Sequence, residues 1–174
     1  KNINNIENTG TINVNADLGI GIYGTTTNGA EQNIINSGDI NLAAVSSQDN
    51  IILGIYGEQG TNISNTGDIS AGKNTIGIYG EGINVKQNSG TLSIDKNGIG
   101  IYLNSGTGQM NNTVVNIADG DGAGVYMSNF ASIDIGNSNV INAGDTTGSL
   151  SGNAAGSYGI VSSNSTVTNN GIIN

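Results

Sequence analysis

Five copies of one tripeptide govern what this chain can fold into. Gly-Ile-Tyr stands at Gly21-Ile22-Tyr23, Gly54-Ile55-Tyr56, Gly77-Ile78-Tyr79 and Gly100-Ile101-Tyr102, with Gly124-Val125-Tyr126 as a close variant. The tyrosines are 33, 23, 23 and 24 residues apart. A second box, an Asn two residues before a Gly, interleaves with the first. It occurs at Asn8-Thr9-Gly10, Asn36-Ser37-Gly38, Asn65-Thr66-Gly67, Asn88-Ser89-Gly90, Asn142-Ala143-Gly144 and Asn169-Asn170-Gly171. In the tightest units the steps from Tyr to Gly to Tyr are 11 and 12 residues, a total of 23. Two boxes alternating at a fixed period signal a solenoid or array, because one unit cannot bury its apolar face alone and must stack on its copies.

Inside each unit the apolar period is two. Ile20 and Ile22, Leu53 and Ile55, Ile76 and Ile78, Ile99 and Ile101, and Ala123 and Val125 each flank a small residue. After the Gly-ending box come Ile12 and Val14, Ile40 and Leu42, and Leu92 and Ile94. Such alternation, bounded by Gly and Asn, reads as half-buried strand. No stretch offers a helical stripe with caps. Three short strands and their turns fit into about 23 residues, so the expected fold is all-β: a parallel β-solenoid of about seven coils, rising about 4.8 Å per coil. One solenoid is expected over 1–174, with extra residues in longer coils at 25–33, 43–50 and 145–157.

Each repeated residue then has a physical role. Inward Ile and Val stack into apolar columns. Asn8, Asn36, Asn65, Asn88, Asn142 and Asn169 are expected to form an amide ladder along the axis, as amides do in stacked parallel strands. The Gly that follows can take φ > 0 at a corner. Proline is absent, as suits strands whose N–H groups nearly all pair with the next coil.

The same composition narrows the chemistry. The chain has no His, no Cys and no Trp, and its four basic residues are all Lys. Missing with them are the commonest general base, the thiol nucleophile, the usual zinc ligands and the bidentate anion clamp. A net charge of −9 argues against nucleic acid and against the anionic cytoplasmic leaflet, both of which attract basic footprints. The sequence is therefore expected to be no enzyme, to need no cofactor and to insert into no membrane.

Candidate sites are few. With Ile22 inward, Tyr23 points outward, and Tyr23, Tyr56, Tyr79, Tyr102 and Tyr126 align their rings in one exposed column. Such rings stack on sugars or on other proteins, or simply cover one another. The longer coils offer loops, which in solenoids often form the binding face. Asp119-Gly120-Asp121-Gly122 has the oxygen-rich character of a calcium loop, but it occurs once and lacks a bidentate acid, so Asp119 and Asp121 are weak metal candidates. Asp17, Asp39, Asp68, Asp95 and Asp134 sit singly at turns, short of the carboxylate pair that a polysaccharide lyase or hydrolase needs.

Asn-Thr-Gly-x-Ile (8–12), Asn-Ser-Gly-Asp-Ile (36–40) and Asn-Thr-Gly-Asp-Ile (65–69), paired with Gly-Ile-Gly-Ile-Tyr (19–23 and 98–102), resemble the passenger region of monomeric (type Va) autotransporters. The Asn- and Ile-rich character is most similar to the large fusobacterial autotransporter adhesins. The resemblance covers nearly the whole chain and implies a right-handed β-helix at the bacterial surface, tethered to the outer membrane by a C-terminal barrel elsewhere in a longer polypeptide. It also implies continuation into further coils and attachment to a glycan or protein on host cells or other bacteria. A stalk that only spaces a distal binding head is the first alternative function, and a β-helix polysaccharide lyase or hydrolase is the second. The family's motifs assign no binding residue.

Overall fold

In the computed structural model, which describes residues 3–27, 30–44, 51–118, 120–144 and 156–174, every regular element is a β-strand. The first coil holds β1 (Ile3–Asn8), β2 (Ile12–Val14) and β3 (Ile20–Gly24), and the second β4 (Glu31–Asn36), β5 (Ile40–Leu42) and β6 (Ile52–Gly57). Next come β7 (Thr61–Asn65), β8 (Ile69–Ala71) and the long β9 (Thr75–Gln87), which turns a corner into the following coil. The pattern repeats with β10 (Gly90–Ile94) and the equally continuous β11 (Ile99–Met110), then β12 (Thr113–Ile117) and β13 (Ala123–Ser128). β14 (Ser132–Ile135), β15 (Val140–Ala143), β16 (Tyr158–Ser162), β17 (Thr166–Asn169) and β18 (Ile172–Ile173) complete it.

Strands of successive coils pair in parallel, for example Leu53 with Ile76 and Ile76 with Ile99. One wall is a 7-stranded sheet in the order β18-β15-β12-β10-β8-β5-β2. The other two walls are joined through β9 and β11 into an 11-stranded sheet. β9 passes its corner at Gly82 (φ 65°) and β11 at Gly106 (φ 86°), a backbone conformation that glycine adopts without a Cβ clash. The molecule is a parallel β-solenoid of about five turns, fewer than the seven expected. Dividing the chain by the tightest period, 23 residues, overstates the number. β17 and β18 begin a coil with no third strand after them among the described residues, and two steps of the tyrosine wall span 33 and 35 residues (Ile20 to Leu53, Ala123 to Tyr158).

The interior is a stack of aliphatic columns. Ile40, Ile69, Leu92, Val115 and Ile141 face one another from successive rungs of the 7-stranded sheet, each at most 1% exposed. Ile22, Ile55, Ile78, Ile101 and Val125 do the same from the tyrosine wall. The strict alternation expected of that wall fails at one place. Leu53, Ile76 and Ile99 lie half-buried on the outer face, whereas Ile55, Ile78 and Ile101 are buried inside. The intervening glycine absorbs the change of phase. A Cβ on Gly77 would stand 2.8 Å from the carbonyl oxygen of Gly100, and one on Gly100 would stand 2.6 Å from that of Gly124. Close approach of the next rung, not a left-handed φ, demands glycine in the Gly-Ile-Tyr box.

The longer coils are placed in part. Residues 31–33, expected in a loop, belong to β4, so the first insertion narrows to 25–30, of which 28 and 29 lie outside the described residues. Residues 45–50 and 145–155 of the other two insertions also lie outside them, as does Asp119.

Candidate functional site: the outer face of the tyrosine wall

The register Tyr23–Tyr56–Tyr79–Tyr102–Tyr126 places five phenol rings on successive rungs. Their centroids are 5.2, 5.0, 4.9 and 4.9 Å apart. The rings tilt by 34° at the lower end and turn edge-to-face, at 60° and 73°, at the upper end. Both arrangements relieve the repulsion of a face-to-face stack. Because each ring packs on the next, the column is half-buried, and only Tyr23, at its lower end, is exposed.

The hydroxyls are tied along the same edge. Tyr23 donates to Glu58 Oε2 at 3.1 Å, and Tyr56 Oη lies 2.6 Å from Glu58 Oε1 and 3.3 Å from Glu81 Oε2. Asn104 reaches Tyr79 Oη at 3.5 Å, and Tyr102 Oη meets Ser128 Oγ at 3.4 Å. A phenol has one proton, so Tyr56 serves only one of its two carboxylates at a time. The hydroxyl of Tyr56 holds the Glu58 carboxyl below its ordinary value, with Tyr23 and Thr25 helping and burial opposing. Burial, followed by the bond to Glu58 and the charges of Glu58 and Glu81, pushes the Tyr56 hydroxyl well above its ordinary value. Tyr79 is raised chiefly by burial. Glu58 and Glu81, with Gln59, Gly82 and Ser105, line an open cleft of about 480 Å³. Sequence reading passed over this pair because its two members lie 23 residues apart and meet only when the coils stack.

On the other side of the rings runs the outer aliphatic column Ile20, Leu53, Ile76 and Ile99. Ile20 is 44% exposed, and beside it stand Ile51 at 46% and Leu18 at 68%. Leu18, Ile20, Ile51, Leu53 and Ile76, together with Tyr79 and Tyr102, line an apolar groove of about 400 Å³. The wall thus presents two parallel apolar stripes that the core does not use.

The amide ladder is real but differently composed. Asn8 donates to Asn36 at 2.7 Å, Asn36 to Asn65 at 2.5 Å, and Asn65 to Gln87 at 2.8 Å. Asn36, Asn65 and Gln87 are 0% exposed, and each ladder amide also donates to a backbone carbonyl two residues on. Asn88 is not a member: it lies one residue past the register and donates to Ser64 Oγ at 3.1 Å. The corner from Gln87 to Leu92 is one residue longer than that from Asn65 to Ile69, so counting back from the glycine lands one position late. Above Gln87 the column turns apolar at Met110 and Ile135, leaving Asn169 in register but unconnected to the ladder and bonded only within its own turn. Asn139, buried nearby, satisfies that corner instead through Met110 O, Gly136 O and the Thr113 N–H. Asn142 belongs to a separate outer column, donating to Asn116 and accepting from Asn174, both at 2.8 Å. A further outer ladder, Asn5–Asn33–Asn62–Asn84, falls outside the boxes because none of its members stands two residues before a glycine.

Asp121 stands exposed in a turn at φ 45°. Among the described residues no three carboxylate, His or Cys side chains converge as a metal site. Asp17, Asp39, Asp68, Asp95 and Asp134 are all exposed, and Asp68 accepts from the backbone N–H of Thr91 at 2.7 Å. No protein-family model, curated protein or solved structure matches the chain.

Proposed function

We propose that the chain is a non-enzymatic segment of a bacterial cell-surface adhesin of the monomeric autotransporter type. In this reading it is a right-handed parallel β-helix that continues into further coils and is tethered to the outer membrane by a barrel elsewhere in the polypeptide. Its binding face is the tyrosine wall, and its partner is a glycan or protein on a host cell or another bacterium. One observation carries the choice of face: the aliphatic column and the tyrosine column run side by side on the outside, with Leu18, Ile20 and Ile51 exposed. Apolar side chains grouped on an outer surface mark an interaction site, whereas scattered ones do not. The test is attachment of the purified chain to cells and glycan arrays, compared with Ile76→Glu. Binding that this substitution abolishes supports the reading. Complete silence of the wild-type chain favours a stalk that only spaces a distal head.

A second reading, glycoside cleavage on a β-helix, draws on the Glu58–Glu81 pair in its cleft. The two carboxylates flank one hydroxyl, within about 6 Å of each other, a separation compatible with a retaining mechanism. In that reading Glu58, kept ionised chiefly by the Tyr56 hydroxyl, is the nucleophile. Release of reducing ends from polysaccharides by the wild-type chain, lost in Glu58→Gln, would establish it over the adhesin reading.

A further inference from the structure

The tyrosine wall has a charge arrangement that its apolar stripes alone do not explain. Read along the strands, it begins with two exposed lysines, Lys73 before β9 and Lys96 before β11. It then crosses the aliphatic column and the tyrosines and ends at Glu58, after β6, and Glu81, within β9. Two rungs of positive charge, with Asp17 two rungs below Lys73 and Asp121 one rung above Lys96, thus stand on one long edge and two rungs of negative charge on the other. Among the described residues neither the two lysines nor the two glutamates form an ion pair, although the chain as a whole carries −9 and only four lysines.

We propose that this face docks a second copy of the same chain, the two solenoids lying side by side about a dyad parallel to their axes. The proposal rests on the reading of this wall as the binding face and names its occupant. The symmetry follows from the charges. A dyad along the axis reverses the strand direction while keeping each rung at its own height. Lys73 therefore meets Glu81 of the second copy, and Glu81 meets Lys73 of the second copy, as an isologous contact requires. Lys96 and Glu58 fall one rung to either side of these pairs. A dyad across the axis would instead set glutamate against glutamate and lysine against lysine. Between the charged edges the aliphatic column of each copy packs against the tyrosine column of the other, with the sheets about 10 Å apart as in any face-to-face sheet stack.

The contact is small. From Lys73 to Glu81 the strand covers about 25 Å, and the five tyrosine rungs about 20 Å. The resulting area of about 500 Å² per copy falls short of the roughly 800 Å² of a standard stable interface. Association is therefore weak and concentration-dependent, with the charged edges setting its orientation more than its strength.

Sedimentation of the purified chain across a concentration series tests this. The expected result is a monomer–dimer equilibrium visible up to about 1 mM, weakened by added salt because the paired edges are solvent-exposed. Lys73→Glu and Glu81→Lys each weaken the dimer by about tenfold, and the double swap K73E/E81K restores it to near the wild-type constant. Circular dichroism checks that each variant keeps its strands. A wild-type chain that stays monomeric throughout overturns the proposal, and so does a double swap that fails to restore association. The underlying reading fails separately: if Ile76→Glu abolishes dimers yet leaves cell attachment unchanged, the dimer stands and the adhesive role of this face falls. If the wild type never dimerises while Ile76→Glu abolishes attachment, the face takes a foreign partner and the self-pairing is wrong.

Discussion

The side-chain amide of Asn65 donates to Oε1 of Gln87 across 2.8 Å, one coil apart and fully inside the protein. A glutamine thus takes the fourth rung of the hydrogen-bonded ladder, above three asparagines, and the corner that follows it is one residue longer than the one after Asn65. Asn65 also accepts from Asn36 and donates to Gly67 O.

Removing that amide leaves buried partners unsatisfied above and below. Asn65→Ala is expected to cost about 2–4 kcal/mol, the penalty of one or two orphaned buried polar groups. Asn88→Ala, outside the ladder, should stay within about 1 kcal/mol. Urea unfolding midpoints of the two variants distinguish them, and equal shifts would refute the register described here.

The glycine column makes a prediction of sign. Gly77 has no left-handed φ, so in open space Ala would stabilise it by about 0.4–1 kcal/mol through the unfolded chain. Instead its Cβ would press on the Gly100 carbonyl at 2.8 Å. Gly77→Ala should therefore destabilise by about 1–3 kcal/mol, whereas Gly10→Ala, with nothing within 4 Å, should not. Thermal melting of both variants is sufficient.

Inward and outward isoleucines of one strand should respond differently. Ile78→Ala opens a cavity at a site 0% exposed and is expected to cost about 2–5 kcal/mol. Ile76→Ala, half-buried on the outer face, should cost less, about 1–2 kcal/mol, because part of its surface stays in water and no closed cavity forms.

Phe130 is 86% exposed at φ 65°, a conformation that strains any bulky residue. Asparagine tolerates it better. Phe130→Asn should therefore raise stability by about 0.5–1 kcal/mol, as read from the melting midpoint.

Stability should fall at both pH extremes through the tyrosine edge. Glu58 has a folded pKa below its ordinary 4.5, so its contribution is complete above pH 4.5 and is lost as pH falls through the folded value. Tyr56 and Tyr79 are raised above their ordinary 10.0. Their neutral forms favour the folded state, and that contribution is intact below pH 10 and lost as pH rises beyond it. Tyr56→Phe should flatten both limbs of a stability–pH curve, since it removes the raised phenol and the donor that lowers Glu58.

Much of this architecture was legible in one dimension. The alternating boxes specify parallel stacking, because identical residues at a constant period can satisfy their backbones and bury their isoleucines only by repeating the same turn. The aligned tyrosines and the ladder from Asn8 to Asn65 follow from that period directly. Gln87 did not, since a one-residue change in corner length alters which side chain comes into register and leaves the local motif looking unchanged. Nor did the outward turn of Leu53, Ile76 and Ile99, which depends on a glycine pressed against the rung above.

What the residues settle by themselves is the winding of the chain into stacked parallel strands, since spacing and side-chain period are local properties that survive from sequence to strand. Which groups meet across the coils, such as Glu58 with Glu81 around one phenol or the lysine edge facing away from the glutamate edge, was decided only in three dimensions. Those neighbours lie about two dozen residues apart, and the distances between them are set by corner lengths and by how closely successive rungs approach.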